Sequence, residues 1–144
     1  MIEIDRATPA DLDAIEDIER HSFPAPWPRA TFAAELARQH SRIIVARSPG
    51  VIGYCNFWIV ADEVHVHAIA IHPDHRRAGL GGRLVAYALD EGRRVNCAIA
   101  TLEVRRSNRP AIAMYERAGF GTVHVRARYY QDNDEDALVM ACTL

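Results

Sequence analysis

A carboxylate, an amide and a phenol follow one another at short intervals in Thr101-Leu-Glu103-Val-Arg-Arg-Ser-Asn108-Arg-Pro-Ala111-Ile-Ala-Met-Tyr115. A carboxylate can take a proton from an attacking group, and a phenol can give one to a leaving group. Glu103 ends an otherwise apolar run, Ala98–Val104, which reads as a strand. Ligand sites of open α/β sheets gather at that end of a strand. Asn108 is a good helix N-cap, and Pro110 is tolerated in a first turn. Seven residues separate Asn108 from Tyr115, nearly two turns, so both lie on one helix face about 10.5 Å apart. Ala111 lies between them and is small enough to let a thin ligand pass. Taken singly, a strand-end Glu also reads as a solvated carboxylate, and a helical Tyr as core. Their joint spacing is what points to a site.

A second stretch, Ile69-Ala70-Ile71-His-Pro-Asp-His-Arg76-Arg77-Ala78-Gly79-Leu80-Gly81-Gly82-Arg-Leu84, reads as strand, turn and helix start. Glycines let a backbone come close to a ligand, and free N–H groups at a helix start attract anions. Residues 76–82 therefore look like a phosphate cradle. A Walker loop would need Lys followed by Ser or Thr. This chain has no lysine: its 17 basic residues are all arginine. A dinucleotide fingerprint would need Gly-x-Gly-x-x-Gly, and no third glycine falls in register.

The elements that must position these residues can be read along the chain. Met1–Arg6 reads as a strand. A helix over roughly 9–21 starts at Thr8-Pro9-Ala10-Asp11, with Leu12, Ile15 and Ile18 as its apolar stripe. Phe23-Pro-Ala-Pro-Trp27-Pro28 forms a rigid aromatic loop, followed by a helix over Ala30–Arg38. Strands are predicted at Arg42–Arg47, Val51–Val60 and Val64–Ile71. Then come a helix over Leu80–Gly92, a strand over Ala98–Val104 and a helix over Asn108–Ala118 closed by Gly119. The last two strands, Phe120–Arg128 and Ala137–Cys142, are joined by an acidic turn, Asp132–Asp136. The order β-α-α-β-β-β-α-β-α-β-β implies a mixed α/β sheet flanked by helices.

The chain of 144 residues, 49% hydrophobic and 25% charged, suits one globular domain over 1–144. It shows no apolar run of membrane length and no leader, so no membrane and a cytoplasmic location are expected. Cys55, Cys97 and Cys142 form no CxxC pair and read as buried or partly buried thiols of a reducing compartment. The net charge of −2 argues against direct nucleic-acid binding as a general role. The charge is uneven: residues 1–41 hold eight acids against four arginines, and residues 76–109 hold eight arginines against three acids. A basic middle suits an anionic ligand, and an acidic first third suits a cationic amine or basic peptide.

The spacing Arg76-x-x-Gly79-x-Gly81 after a strand resembles the acetyl-CoA loop of the GCN5-related N-acetyltransferases (GNATs). Leu102-Glu103-Val104-Arg105-x-Ser107-Asn108-x-x-Ala111-x-x-x-Tyr115-x-x-x-Gly119-Phe120 narrows the resemblance to the RimI-type N-terminal protein acetyltransferases. Phe23-Pro24 with Trp27-Pro28, Tyr129-Tyr130, and Glu135-Asp136-Ala137-x-x-Met140 extend it over the whole chain. The resemblance implies a centrally splayed sheet and transfer of acetyl from acetyl-CoA, without a metal, to a peptide α-amine. The family's target is the N-terminal alanine of a small-subunit ribosomal protein. Carried over, Glu103 is the general base and Tyr115 the general acid. Asn108, residues Arg76, Arg77, Ala78, Gly79, Leu80, Gly81 and Gly82, and the Ile69–Ala70–Ile71 backbone hold the cofactor. The chain departs from the pattern where Pro28 replaces a serine and Ala25-Pro26 looks inserted, near the family's peptide entrance.

The chemistry is reasonable in itself. A peptide α-amine has a pKa of about 8, so roughly a tenth is free base at pH 7, a few hundred times more than for lysine. Burial that raised the pKa of Glu103 would make it a better base. Proton transfer from a tyrosine of pKa about 10 to a thiolate of about 8.5 is uphill by only about 2 kcal/mol. His65-x-His67 and His72-x-x-His75 lack a supporting Cys or carboxylate cluster for a metal site. One of the first pair could instead assist as a base. A GNAT for small amines or other N-termini, and a non-catalytic acyl-CoA sensor, are the alternatives. The presence of both Glu103 and Tyr115 speaks against the sensor.

Overall fold

The computed structural model describes residues 1–144. Seven strands form one sheet: β1 (Glu3–Arg6), β2 (Ser41–Arg47), β3 (Val51–Val60), β4 (Glu63–Ile71), β5 (Ile99–Arg105), β6 (Gly121–Tyr130) and β7 (Glu135–Thr143). Their order is β1-β2-β3-β4-β5-β7-β6. Only β4 and β5 run parallel; every other pairing is antiparallel. Helices α1 (Leu12–Arg20) and α2 (Arg29–Ala37) precede β2, α3 (Leu80–Arg94) links β4 to β5, and α4 (Arg109–Arg117) links β5 to β6. This is the mixed α/β order expected from the sequence. No helix is long and apolar enough to cross a membrane.

The alternation of β3 divides the core. Cys55 and Phe57 join Leu84, Val85, Leu89, Leu102 and Tyr115 in one cluster with residues of α3 and α4. Tyr54 joins Leu12, Ile15, Ile18 and Phe32 on the opposite face, with α1 and α2. Each fully buried aliphatic or Phe side chain contributes about 1.5–3 kcal/mol, so both faces are firmly held.

Two of the boundaries that differ from the sequence reading have a plain physical reason. The helix assigned as far as Gly92 continues to Arg94. Gly92 is there for packing: a Cβ on it would collide with Val64 of β4. The acidic turn is also shorter, because Glu135 and Asp136 belong to β7. Glu135 accepts the Ser107 N–H at 2.7 Å, and Asp136 accepts the Arg128 N–H at 3.1 Å. These carboxylates tie the β5–α4 connection to the β6–β7 hairpin rather than facing solvent as a turn.

The N-terminal layer is pinned by Asp11. It accepts the Thr8 N–H at 2.8 Å and both terminal nitrogens of Arg47 at 2.8 Å, while Arg47 Nε reaches Asp5 at 2.8 Å. Arg47 holds the Asp11 carboxyl below its ordinary pKa. That stabilisation is complete above the unfolded-state value near 4 and is lost as pH falls through the lowered folded-state value. Asp11→Asn is expected to lower unfolding free energy by between ~1 kcal/mol, as for an exposed pair, and ~3 kcal/mol, as for a buried one. Denaturant melts at pH 7 would measure this, and the gap between wild type and variant should narrow in acid. Gly92→Ala, although favourable for helix propensity, should destabilise by about 1–3 kcal/mol through overpacking against Val64. A neutral or stabilising melt would refute that account.

Candidate active site

The parallel pair β4–β5 is registered only from Glu63↔Ile99 to Val66↔Leu102. Beyond that point β4 stays paired with β3 as far as Ile71↔Gly53, and β5 stays paired with β7 as far as Arg105↔Ala137. The sheet therefore forks, and β4 presents an unpaired backbone edge over Ala68–Ile71. A β-bulge lies at the fork: Phe57 pairs with Val66 and Asn56 with Ala68, leaving His67 as the extra residue.

At the end of β4 the chain turns into α3 through residues 76–82. Gly79 is the N-cap with φ 76°, a left-handed conformation that glycine adopts without strain. None of the backbone N–H groups from Arg76 to Gly82 donates to another protein group. A Cβ on Gly82 would meet open space, whereas one on Gly81 would press on Met114 Sδ. Gly81 thus sets the approach of α4 to α3, while Gly82 leaves the helix start uncovered. The Arg76 side chain folds back, donating to Ile71 O at 2.9 Å and Ser22 Oγ at 3.0 Å. It braces the loop against the end of α1.

Fork and loop open into one cleft of about 900 Å³. Ile69, Ala70, Ile71, Arg76, Arg77, Gly79, Leu80, Gly81, Gly82 and Asn108 all line it. Ala78 lies in the same loop but does not line the cleft. Asn108 caps α4, its side-chain oxygen accepting the Ala111 N–H at 3.3 Å. Ala111 lines the cleft beside it. Met114, Arg93 and Arg117 also line it and were missed. Gly82, Ala86, Leu89 and Arg93 recur at helical spacing along α3, the periodicity that could have shown which face turns inward.

Glu103 and Tyr115 stand apart from this lining. Tyr115 is buried at 5% exposure, packed edge-on against Phe120 at 5.8 Å between ring centres. Its hydroxyl makes no hydrogen bond within the protein, and burial raises its pKa above the ordinary tyrosine value. Glu103 lies on β5 opposite Val139, and its side chain is exposed. Its charge acts on two neighbours, His67 and Tyr130. Tyr130 is held beneath the Arg105 guanidinium, 4.0 Å from its ring centre, and burial pushes its hydroxyl up to about 12.

The aromatic loop between α1 and α2 is anchored from below. Glu19, 3% exposed, accepts the Trp27 N–H at 3.0 Å and the Tyr54 hydroxyl. Burial raises its pKa. Trp27 leans on Phe32 at 5.3 Å, and Phe32 meets Tyr54 edge-on at 5.4 Å.

Residues 12–120 match the sequence model of the acetyltransferase (GNAT) family. The ribosomal protein bS18-alanine N-acetyltransferase of Escherichia coli K12 is 35% identical over 133 residues, covering 91% of this chain and 90% of that protein. The N-alpha-acetyltransferase RimI of Mycobacterium tuberculosis is 35% identical over 146 residues, covering 96% and 90%. The crystal structure of the E. coli ribosomal-protein-S18-alanine N-acetyltransferase superposes with a TM-score of 0.91 at 34% identity, over 99% of this chain and 94% of that one. The chain therefore belongs to the GNAT family of acetyltransferases, and within it to the RimI type.

Proposed function

We infer that this enzyme transfers acetyl from acetyl-CoA to the α-amine of a protein N-terminus, with the N-terminal alanine of ribosomal protein bS18 as its preferred substrate. The observation that carries the reading is the fork itself. An unpaired strand edge and a row of unpaired loop amides meet in one cleft, in a chain about a third identical to bS18-alanine acetyltransferases. A cytoplasmic site of action is consistent with that substrate.

The residues present fit acetyl-CoA. The amides of residues 76–82 and the start of α3 offer donors to a diphosphate, and Arg77, Arg93 and Arg117 add positive charge along the cleft. The free edge over Ala68–Ile71 can pair with an amide-bearing arm as a further strand would. Asn108 and Ala111 line the cleft at the start of α4. Bound there, acetyl-CoA supplies an activated thioester. Glu103 holds negative charge where the α-ammonium must lose its proton. Tyr115 stays protonated throughout the working range because burial disfavours its phenolate. Its unpaired hydroxyl serves as a hydrogen-bond donor to the departing thiolate.

Glu103→Gln and Tyr115→Phe should each lower kcat by about 10²-fold or more. Acetyl-CoA affinity, measured by calorimetry, should stay within a few-fold of wild type. If both variants turn over normally, these roles are wrong. Wild-type enzyme given acetyl-CoA should favour a hexapeptide beginning Ala-Arg over ones beginning Met or Ser, and over spermidine. Preference for spermidine would defeat the peptide assignment. Tight CoA binding without turnover of any substrate would replace it with a sensor.

A further inference from the structure

The two strands of the fork part immediately after Val66 and Leu102, so the next residue on each is His67 on β4 and Glu103 on β5. Val64 and Val66 face the α3/α4 core, as do Ala100, Leu102 and Val104. His65, His67, Thr101 and Glu103 therefore share the opposite face. The bulge is what makes His67 distinctive. Its extra residue lets the imidazole lie on this face directly at the point of separation, next to Ala68 rather than opposite it.

The ring is held in place yet remains reachable. It packs on Trp58 with ring centres 4.2 Å apart, and His65 stacks at 6.3 Å. Trp58 is itself fixed, its Nε1–H donating to Glu35 at 2.6 Å. Glu35 also takes the Ser41 hydroxyl at 2.9 Å and pairs with Arg38 at 3.0 Å. His67 is exposed to solvent. It is not needed for the cofactor cleft, whose lining it does not join.

We propose that His67 is a second proton acceptor of the transfer reaction, sited across the fork from Glu103, whose carboxylate holds the imidazolium that forms. This rests on the acetyltransferase reading and changes one part of it: the proton comes to rest on His67, with Glu103 as the charge that keeps it there. An N–H bond of the α-ammonium breaks, and its proton goes to the free ring nitrogen of His67. The amine lone pair then forms the C–N bond as the thioester C–S bond breaks. The second amine proton makes up the CoA thiol, and His67 releases its proton to solvent before the next cycle.

Several charges act on the ring. Its crowded surroundings, first of all, favour the neutral form and lower its pKa below the ordinary histidine value, and His65 on β4 and His40 before β2 add to that. Glu35 on α2 and Glu103 on β5 oppose it. The net lowering keeps His67 neutral, and able to accept, at any pH above a point that lies below about 6.5. Activity should be lost only as pH falls through that point.

The test is the pH profile of kcat with acetyl-CoA and the Ala-Arg hexapeptide. His67→Gln should lower kcat by about 10-fold or more at pH 7 and remove the acid limb seen in wild type. His67→Phe keeps a ring on Trp58, so it should fold and bind CoA normally while showing the same loss. Glu103→Gln with His67→Gln should be little slower than Glu103→Gln alone, because the two act as a unit. Imidazole added to His67→Ala should restore part of the rate. Normal turnover of His67→Phe, or an acid limb unchanged in His67→Gln, would overturn the proposal and leave the acetyltransferase reading intact. Inactivity of the wild-type enzyme on the peptide would overturn both.

Discussion

Everything at this site depends on two parallel strands that pair for four residues and then separate. Buried backbone N–H and C=O groups are almost always paired, so an interior strand edge without a partner is an unusual arrangement. Here each strand is secured on its outer side, β4 by β3 and β5 by β7, over the length where the inner pairing is missing. The fork stays open because the outer ladders are complete, and its free edge is left to bond a ligand. The bulge at His67 adds local twist where the strands diverge, and so helps re-aim β4 toward the loop that follows.

The connections around the fork are tied down by buried or clamped carboxylates. Asp11 binds Arg47 and closes the N-terminal turn. Glu19 holds the aromatic loop through Trp27 and Tyr54. Glu35 joins α2 to β2 and β3 through Ser41 and Trp58. Glu135 takes the Ser107 N–H, and those hydrogen bonds hold its pKa at about 2. Each accepts two or more donors from separate elements, which favours its charged form or offsets the cost of burying it. Three of the eight acids in residues 1–41, Asp11, Glu19 and Glu35, are thus buried and serve as internal scaffold.

Much of the arrangement was legible in the residues. The glycine spacing, the Asn108 cap with Pro110, and the alternation of β3 are local signals, since each depends on a few neighbouring φ and ψ angles or on periodicity. Apart from Ala78, the loop at 76–82 lines one cleft together with Asn108. What lay outside that reach depended on packing between distant segments. Gly92 looks like a helix end until Val64 is seen to fill the space beside it. Glu135 and Asp136 look like turn residues until the 105–107 segment and Arg128 approach them. His65-x-His67 showed a shared face, but not that one ring would sit at a bulge.

By itself, the sequence determined the order of elements, the glycine loop at a helix start, and the Glu-Asn-Tyr spacing on which the resemblance rests. These are properties of short segments, and short segments carry their own backbone preferences. Only the tertiary structure decided the environments. It exposed Glu103, buried Tyr115, and brought His67 on β4 beside Glu103 on β5, 36 positions away in the chain. Proton affinity depends on solvent, charge and neighbours within a few ångströms, and those are set by the whole fold.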